Sequence, residues 1–489
     1  MAEIHPATLT PTKLELLSAW MGQQRWYAAK GATPQLTRLS AWRLADPDGA
    51  VGIETIIVLD TGGPEPVTYQ VPLTYRDAPV DELEHALVGT MTHSVLGQRW
   101  VYDACHDPVY AAQLLALTLG QVSAESSSAS DTLDDRYRGL PGASWSRALA
   151  VRASRVLVGE QSNTSIILDT EADDSTSKPV IIKVFRTLAG GENPDVVLQS
   201  ALREAGSDRV PDVIGSVSGS WPSGAPEAGT EEVHGHLAFA QEFIAGTEDA
   251  WRVALRAAKD GTDFTAEAGA LGEATAAVHT VLSEALPTQE ASREDIARIT
   301  TVMRRRLAAA SELVEEIAAR AAQILAVFEN AEAATWPPLQ RIHGDYHLGQ
   351  VLHSPERGWL LLDFEGEPLR PLAERVLPDS TFRDVAGMLR SFDYAGGSAE
   401  HEAPGTSARS WVDNGVTAFL DGYSRNAPDP RERDDLLRAF LLDKALYEVV
   451  YEARNRPTWL AIPVAAITRL LEPTGVSERG APDQRGPFA

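Results

Sequence analysis

The 489-residue chain predicts an α+β protein with a small sheet-bearing lobe followed by a helical lobe. Three observations carry that expectation. Residues 150 to 244 alternate short apolar strands with polar loops; residues beyond 248 run as long Ala/Leu/Glu/Arg segments of helical period; and one β-like patch, "LQRIHGDYHLGQVLHSPERGWLLLDFEGEP", interrupts those helices. A cleft is expected between the lobes, and the length allows two or three packed units of roughly 100 to 200 residues each.

In chain order, "TPTKLELLSAWM" reads as a capped amphipathic helix, and "ETIIVLD" and "VTYQVPLTY" read as strands with alternating or β-branched patterns. "GQVSAESSSASDTLDD" reads as a solvated linker at a subdomain edge. The strands "ALAVRASRVLVG", "NTSIILDT", "PVIIKVF" and "HLAFAQEFI" suggest an antiparallel sheet, with "EADDSTSK" and "SGSWPSGAPEAGTEE" as polar loops. After the third strand comes the helix "NPDVVLQSALREAG", with Asn193 as N-cap and Pro194 at its first position. Further helices are expected over 266 to 285, 292 to 330, 411 to 426 and 434 to 454.

The 43 Lys+Arg against 69 Asp+Glu give a net charge of −26, which repels nucleic-acid phosphates and anionic lipid and so argues against both as partners. A single cysteine, Cys105, excludes an intramolecular disulfide and a Cys-rich zinc site, and is expected to be a packing residue. No run approaches the ~20 apolar residues of a membrane helix, and "MAEIHPATLTPTKLELL" lacks a secretion layout, so the chain is expected in the cytoplasm.

"VGEQSNTSIIL" places Gly159, Gln161, Ser162 and Asn163 in a turn between two strands. Backbone N–H groups there suit phosphate oxygens, although such residues also serve ordinary hairpins. Lys183 lies within "VIIKVF", a run so apolar that a lysine needs an anion unless its stem snorkels to the strand edge. The strongest signal is the β-like patch. Gly344 and Gly349 argue for a tight loop around Asp345, flanked by His343 and His347, while Asp363 ends the second apolar run. Phosphoryl transfer needs a carboxylate that orients a hydroxyl and oxygen ligands for Mg²⁺; Asp345 suits the first task, Gln350 and Asp363 the second. Two other readings stand beside this one: His343, Asp345 and His347 as zinc ligands of a hydrolase, or a polar loop without chemistry.

The series "GEQSNTS", "IIKVF", "QEFI", "HGDYHLGQVL", "LLDFEGEP" and "RDVAGMLRSFDYA", with "QRWYAAKG" and "LLDKALYEVVYEARNRPTWLAIP" near the two ends, resembles the aminoglycoside phosphotransferase and choline kinase superfamily, and within it the actinobacterial maltokinases. The resemblance runs over nearly the full chain. It implies a bilobal protein-kinase-like fold with an N-terminal cap subdomain (1–125), an intermediate β-rich subdomain carrying the phosphate loop and hinge (126–245), and a helical C-terminal lobe (246–489). ATP would lie between the lobes, its phosphates at Gly159, Gln161, Ser162, Asn163 and Lys183 and its adenine at Gln241, Glu242 and Ile244. Asp345 is the implied base, and Gln350 and Asp363 the implied magnesium holders. Kinase-like folds pair the strand lysine with a glutamate from the next helix, which "DVVLQSAL" lacks; Asp195 and Glu204 are the candidates to replace it.

The implied activity is ATP-dependent phosphorylation of maltose to maltose 1-phosphate, feeding glycogen and α-glucan assembly. A glucosamine, other sugar or aminoglycoside kinase is the alternative within the class, and a catalytically silent nucleotide-binding regulator the alternative outside it. A monomer is expected, and an association with trehalose synthase is compatible with the resemblance. His347, Glu448 and Tyr451 are the candidate sugar contacts, with core packing as the competing role for the tyrosines. Lys444 is expected to pair with Glu448 one turn away, Asp384 with Arg390 as a support of the loop alongside His343 and Arg341, and Arg25, Trp26, Tyr27 and Lys30 to anchor the cap.

Overall fold

The computed structural model describes residues 8–472 except 129–131, 144, 146–148, 160–161, 173–178, 225–230, 369 and 404–406. Its strands form three antiparallel sheets. The first is built on the meander Leu36–Leu44, Gly52–Asp60 and Val67–Arg76, widened by Leu87–His93 and Gly97–Asp103. The helix Lys13–Met21 starts at a capping box of Thr12 and Glu15 and buries Leu17 and Met21 beside Trp26, Tyr27 and Tyr69. The opposite face of this sheet, with Trp42, Ile53 and Ile57, shares one core with the helix Pro108–Thr118 and with Ile166, Ile182 and Phe239 of the second sheet. A short strand beyond Lys183, Thr187–Leu188, pairs with Val67–Arg76, so the first two sheets are joined through a strand as well as a core. Cys105 is 1% exposed in that shared core, in keeping with a packing role.

The second sheet runs Tyr137–Pro141, Val213–Pro222, Glu232–Glu242, Val180–Phe185, Asn163–Ala172, Leu149–Val156. Two expectations are corrected here. Ser218 to Trp221, expected in a polar loop, belong to the strand Val213–Pro222. The glycine among them is a packing requirement, because a Cβ at Gly219 would stand 2.5 Å from the Tyr137 ring. The serine and glycine content that reads as solvated linker around residue 125 is also partly sheet: Glu125–Ser126 pairs with Arg43 and Trp42, and the buried Asp134 is gripped by Arg136 at 2.7 and 2.9 Å.

Helices Thr265–Ala285, Arg293–Leu313, Phe382–Glu402 and Asp434–Asn455 enclose the third core. The continuous helix expected over 292 to 330 is broken at Val314, which takes an extended backbone and sinks its side chain with Ile317 into the core before Ala321–Ala333 resumes. Burial of two apolar side chains outweighs the small propensity gain of an unbroken Ala/Glu run. The third sheet, Glu248–Asp249, Val351–Ser354 and Gly358–Leu361, holds the interrupting patch, and Trp359 Nε1 fastens it to the Glu267 carbonyl at 2.9 Å. No helix among the described residues is long and apolar enough to cross a membrane.

Candidate active site

Lys183 stands in its strand between the fully buried Ile182 and Val184 and extends into the cleft. Its Nζ donates to Asp195 Oδ2 at 2.9 Å, Asp363 Oδ1 at 2.6 Å and Glu365 Oε1 at 3.2 Å. Asp195 thus fills the place of the missing glutamate; Glu204 lies at the far end of the same helix, ~13 Å further along its axis. The position follows from the local sequence. Asn193 caps the helix by accepting the Asp195 N–H, which sets Asp195 in the first turn where the helix dipole favours a carboxylate. Its second oxygen accepts from Gln199 Nε2 and from the Phe364 N–H, both at 2.7 Å, so one side chain joins the lysine, the helix and the turn after Asp363.

Asp363 itself has φ 62°, the single non-glycine positive φ among the described residues, a conformation that costs of order 1 kcal/mol and is held by Lys183 on one oxygen and Gln350 Nε2 on the other at 3.1 Å. Asn163 Nδ2 donates to Glu365 Oε1 at 3.0 Å, tying the last residue of the turn expected to hold phosphate to the same cluster. Gly159 sits at φ 121° in that turn and Ser162 is exposed; Gln161 lies outside the described residues. Burial works against the charge on Lys183, but three carboxylates lift its pKa well above the ordinary value. Asp363 is held low by Lys183 despite its burial, whereas burial together with Asp363 and Asp195 pushes Glu365 up.

The Asp345 loop is cradled from the helix Phe382–Glu402. Asp384 accepts the N–H groups of His343 and Gly344, each at 2.8 Å, and His279 Nε2 at 3.1 Å. Gly344 turns at φ 84° with the Gly366 Cα 3.2 Å from where a Cβ would stand, which excludes a larger residue. His343 Nε2 donates to the Leu362 carbonyl at 2.8 Å, which leaves Nδ1 to face the Asp345 N–H at 3.4 Å. His347 Nδ1 accepts the Gly349 N–H at 3.0 Å. The zinc reading fails on this geometry: both His343 nitrogens and His347 Nδ1 face backbone groups, and the cluster among the described residues able to hold a metal is Asp195, Asp363 and Glu365, without a histidine.

Asp345 Oδ1 accepts from Lys444 Nζ at 3.0 Å. Burial would raise the Asp345 pKa, but the Lys444 ammonium overrides it and holds the carboxyl at about 2. Burial lowers His347 to about 4, so it is neutral at pH 7. This contact corrects two expected pairings. Lys444 meets Asp345 and not Glu448, while Arg390 grips Glu448 Oε2 through Nε at 2.9 Å and Nη2 at 2.7 Å and leaves Asp384 to the loop. The helices Phe382–Glu402 and Asp434–Asn455 pack along each other, and a buried bidentate partner across that seam outcompetes a neighbour one turn away. Glu448 is therefore 8% exposed and engaged, and Tyr451 is 43% exposed under Arg456. Tyr447, not Tyr451, flanks the lysine that holds Asp345: its ring lies 4.9 Å from Lys444 Nζ.

The remaining predicted residues scatter around this centre. Gln241 and Glu242 end the strand Glu232–Glu242; Gln241 Oε1 is buried without a partner among the described residues, and Glu242 accepts from Arg357 Nη1 at 2.8 Å. Ile244 gives its carbonyl to Thr247 Oγ1. Arg341, expected to support the loop, has its Nη2 buried without such a partner. The anchoring expected of the cap cluster is present: Arg25 Nη1 donates to the Asn163 carbonyl at 2.9 Å, and the Arg186 guanidinium lies 4.9 Å from the Trp26 ring. Sequence reasoning missed Glu365, although its charge two residues after Asp363 was a visible signal, and it missed Lys444 on Asp345, for which no local signal exists.

Residues 20–107 match the maltokinase N-terminal cap domain and residues 203–403 the phosphotransferase enzyme family. A glucosamine kinase of Mycolicibacterium smegmatis is 29% identical over 354 residues, 67% of this chain and 82% of the relative. One from Streptacidiphilus jiangxiensis is 31% identical over 217 residues, 42% of this chain and 49% of its own length. A solved glucosamine kinase in complex with glucosamine, ADP and inorganic phosphate superposes with a TM-score of 0.64 at 21% identity, covering 95% of this chain and 100% of that one, which establishes a shared fold.

Proposed function

We propose that this chain, which joins a maltokinase N-terminal cap domain to a kinase-like domain of the phosphotransferase enzyme family, transfers the γ-phosphoryl group of ATP to the anomeric hydroxyl of maltose, giving maltose 1-phosphate for glycogen and α-glucan assembly. The observation that carries the choice of acceptor is the Asp345–Lys444 contact. An acceptor hydroxyl oriented by Asp345 lies close to the Lys444 ammonium. With Asp345 ionised the pair carries no net charge, so it offers an ammonium-bearing acceptor no surplus negative charge to meet, and a neutral disaccharide needs none.

In this reading the turn Gly159–Asn163 and Lys183 receive the nucleotide phosphates, and the strand end Gln241–Ile244 faces the adenine. Asp363 and Gln350 fit a magnesium ion: Gln350 Nε2 donates to Asp363 Oδ2 at 3.1 Å, which keeps amide and carboxylate side by side next to a cluster with more carboxylates than cations. When bound, that ion supplies charge neutralisation on the transferring phosphoryl group. Asp345, kept ionised by Lys444, orients the sugar hydroxyl and takes its proton as the new P–O bond forms. Its low basicity suits a loose transition state, in which little proton transfer precedes bond formation. His347, neutral and beside Asp345, offers the sugar a hydrogen bond, and Tyr447 a ring to lie against.

A glucosamine kinase is the second reading, favoured by the activity of the two relatives. Phosphate transfer from ATP to maltose, glucosamine, glucose and an aminoglycoside, measured side by side, separates them. Maltose is expected to turn over fastest; turnover of glucosamine with maltose inert overturns the proposal.

A further inference from the structure

The first sheet is covered unevenly. On the face that carries Ile56, Val58 and Tyr69, the helix Lys13–Met21 packs over one end only. The other end walls a cavity of about 550 Å³, flanked by the turn at residues 46–52 and by the hairpin of Leu87–His93 and Gly97–Asp103. None of the residues that line it belongs to the cleft between the lobes.

Glu54, 2% exposed, lies at the floor of this cavity on the strand Gly52–Asp60. Its Oε2 accepts from Lys13 Nζ and from the Tyr75 hydroxyl at 2.9 Å, whereas Oε1 has no partner among the described residues. Burial would raise the Glu54 pKa, but Lys13 and then Arg43 hold it below the ordinary carboxylate value. Arg43 stands directly across the strand pair from Glu54, yet its guanidinium forms no hydrogen bond with a described residue. Arg99 donates only to the neighbouring Gln98 carbonyl, at 3.3 Å. Asp46 is spent by contrast: it accepts the N–H groups of Asp48, Ala50 and Val51 at 2.9 to 3.1 Å and so fixes the turn.

A buried carboxylate with an open oxygen, beside guanidinium N–H groups also left open, is costly until water or a ligand completes it. Lys13, Arg43 and Arg99 offset Asp46, Glu54 and Asp77, so the charged side chains of the cavity cancel. An anion would meet the open oxygen of Glu54, and a cation would meet the guanidiniums. A neutral molecule rich in hydroxyl groups, each both donor and acceptor, satisfies both kinds of group at once. Leu9, Val51 and Met91 supply an apolar side for its C–H face.

We propose that this cavity in the cap is a carbohydrate site separate from the cleft: it takes a neutral sugar of about disaccharide size, whose hydroxyls donate to Glu54 Oε1 and accept from Arg43 and Arg99. Its volume lies within the roughly 300 to 1,000 Å³ usual for small-molecule sites. The site stands whichever acceptor the cleft phosphorylates.

Amide hydrogen exchange of the full chain, with and without maltose, glucose or glucose 1-phosphate, tests this on the segments 43–54 and 91–99 in wild type, Arg43→Ala and Arg99→Ala. Maltose is expected to slow exchange several-fold over both segments in wild type. Arg43→Ala requires at least about tenfold more maltose for the same protection, the order of one charge-assisted hydrogen bond, while the KM for sugar in the cleft stays within about twofold. Exchange in the strand Val67–Arg76 at the wild-type rate in the free variants shows that the cap remains folded. Wild-type segments that neither neutral sugar protects overturn the proposal without recourse to a variant. Protection by glucose 1-phosphate alone overturns it as well, since the cavity then takes an anion, and so does maltose protection that survives both substitutions. Maltose that protects the cap through Arg43 and Arg99 but is not phosphorylated upholds the site and refutes the reading of the cleft alone.

Discussion

Two lysines cross into the cleft, and their surroundings differ in one respect. Lys183 meets three carboxylates, Asp195, Asp363 and Glu365; Lys444 meets one, Asp345. The first cluster carries more negative charge than its lysine can offset, and Glu365 is pushed up accordingly. The second is a balanced pair over a balanced network, in which Arg306 and Arg383 share Asp443 at 2.7 and 3.1 Å and Arg383 also holds Asp379 at 2.8 Å. A cluster with surplus carboxylates is built to receive cationic charge, and a neutral one to receive a neutral molecule. The proposed transfer, from a charged donor on one side to an uncharged acceptor on the other, draws on that difference.

The comparison breaks most sharply at its neutral side. Asp345→Asn is expected to lower kcat by ~10³ or more while ADP affinity, measured by calorimetry, stays within about twofold. Substantial activity in that variant removes Asp345 from the role of base.

On the surplus side, Lys183→Met leaves three carboxylates facing one another and is expected to destabilise the protein by ~3 to 5 kcal/mol in urea titration. Added Mg²⁺ restores part of that loss, and stabilises the variant more than it does wild type. A variant indifferent to Mg²⁺ shows that the cluster is not a cation site.

The smallest expected effect lies in the pH profile. With its folded pKa at about 2, below the ordinary 3.8, Asp345 stabilises the fold above about pH 4, and that contribution of about 2 kcal/mol is lost as pH falls from there through 2. Wild-type kcat therefore shows no acid limb from Asp345 above about pH 4. Lys444→Met removes the ammonium and leaves burial, so the acid limb of kcat moves upward. An unmoved limb shows that Lys444 is not what keeps the base ionised.

Much of the molecule was legible because its signals are local. The N-cap Asn193 and Pro194 announce their helix by the chemistry of its first turn, the short apolar, β-branched run "VIIKVF" announces a strand, and Gly344 and Gly349 announce a loop. The strand Val213–Pro222 was illegible for a reason of packing. Its Ser218, Gly219 and Ser220 read as solvent-facing, yet Gly219 is small because the Tyr137 ring leans on it. The break at Val314 was hidden in the same way, since only the core behind it tells why an Ala/Glu run should stop.

The sequence by itself determined the order of elements, the lysine strand, the loop that carries Asp345 and the run that ends in Asp363, since each depends on residues close together along the chain. Only the tertiary structure decided the partners. Asp195 reaches Lys183 across 12 residues, Lys444 reaches Asp345 across 99 and Arg390 takes Glu448 across 58. The choice between a helical neighbour and a distant ion is made by burial, which strengthens a bidentate or desolvated pair and is a property of how helices pack.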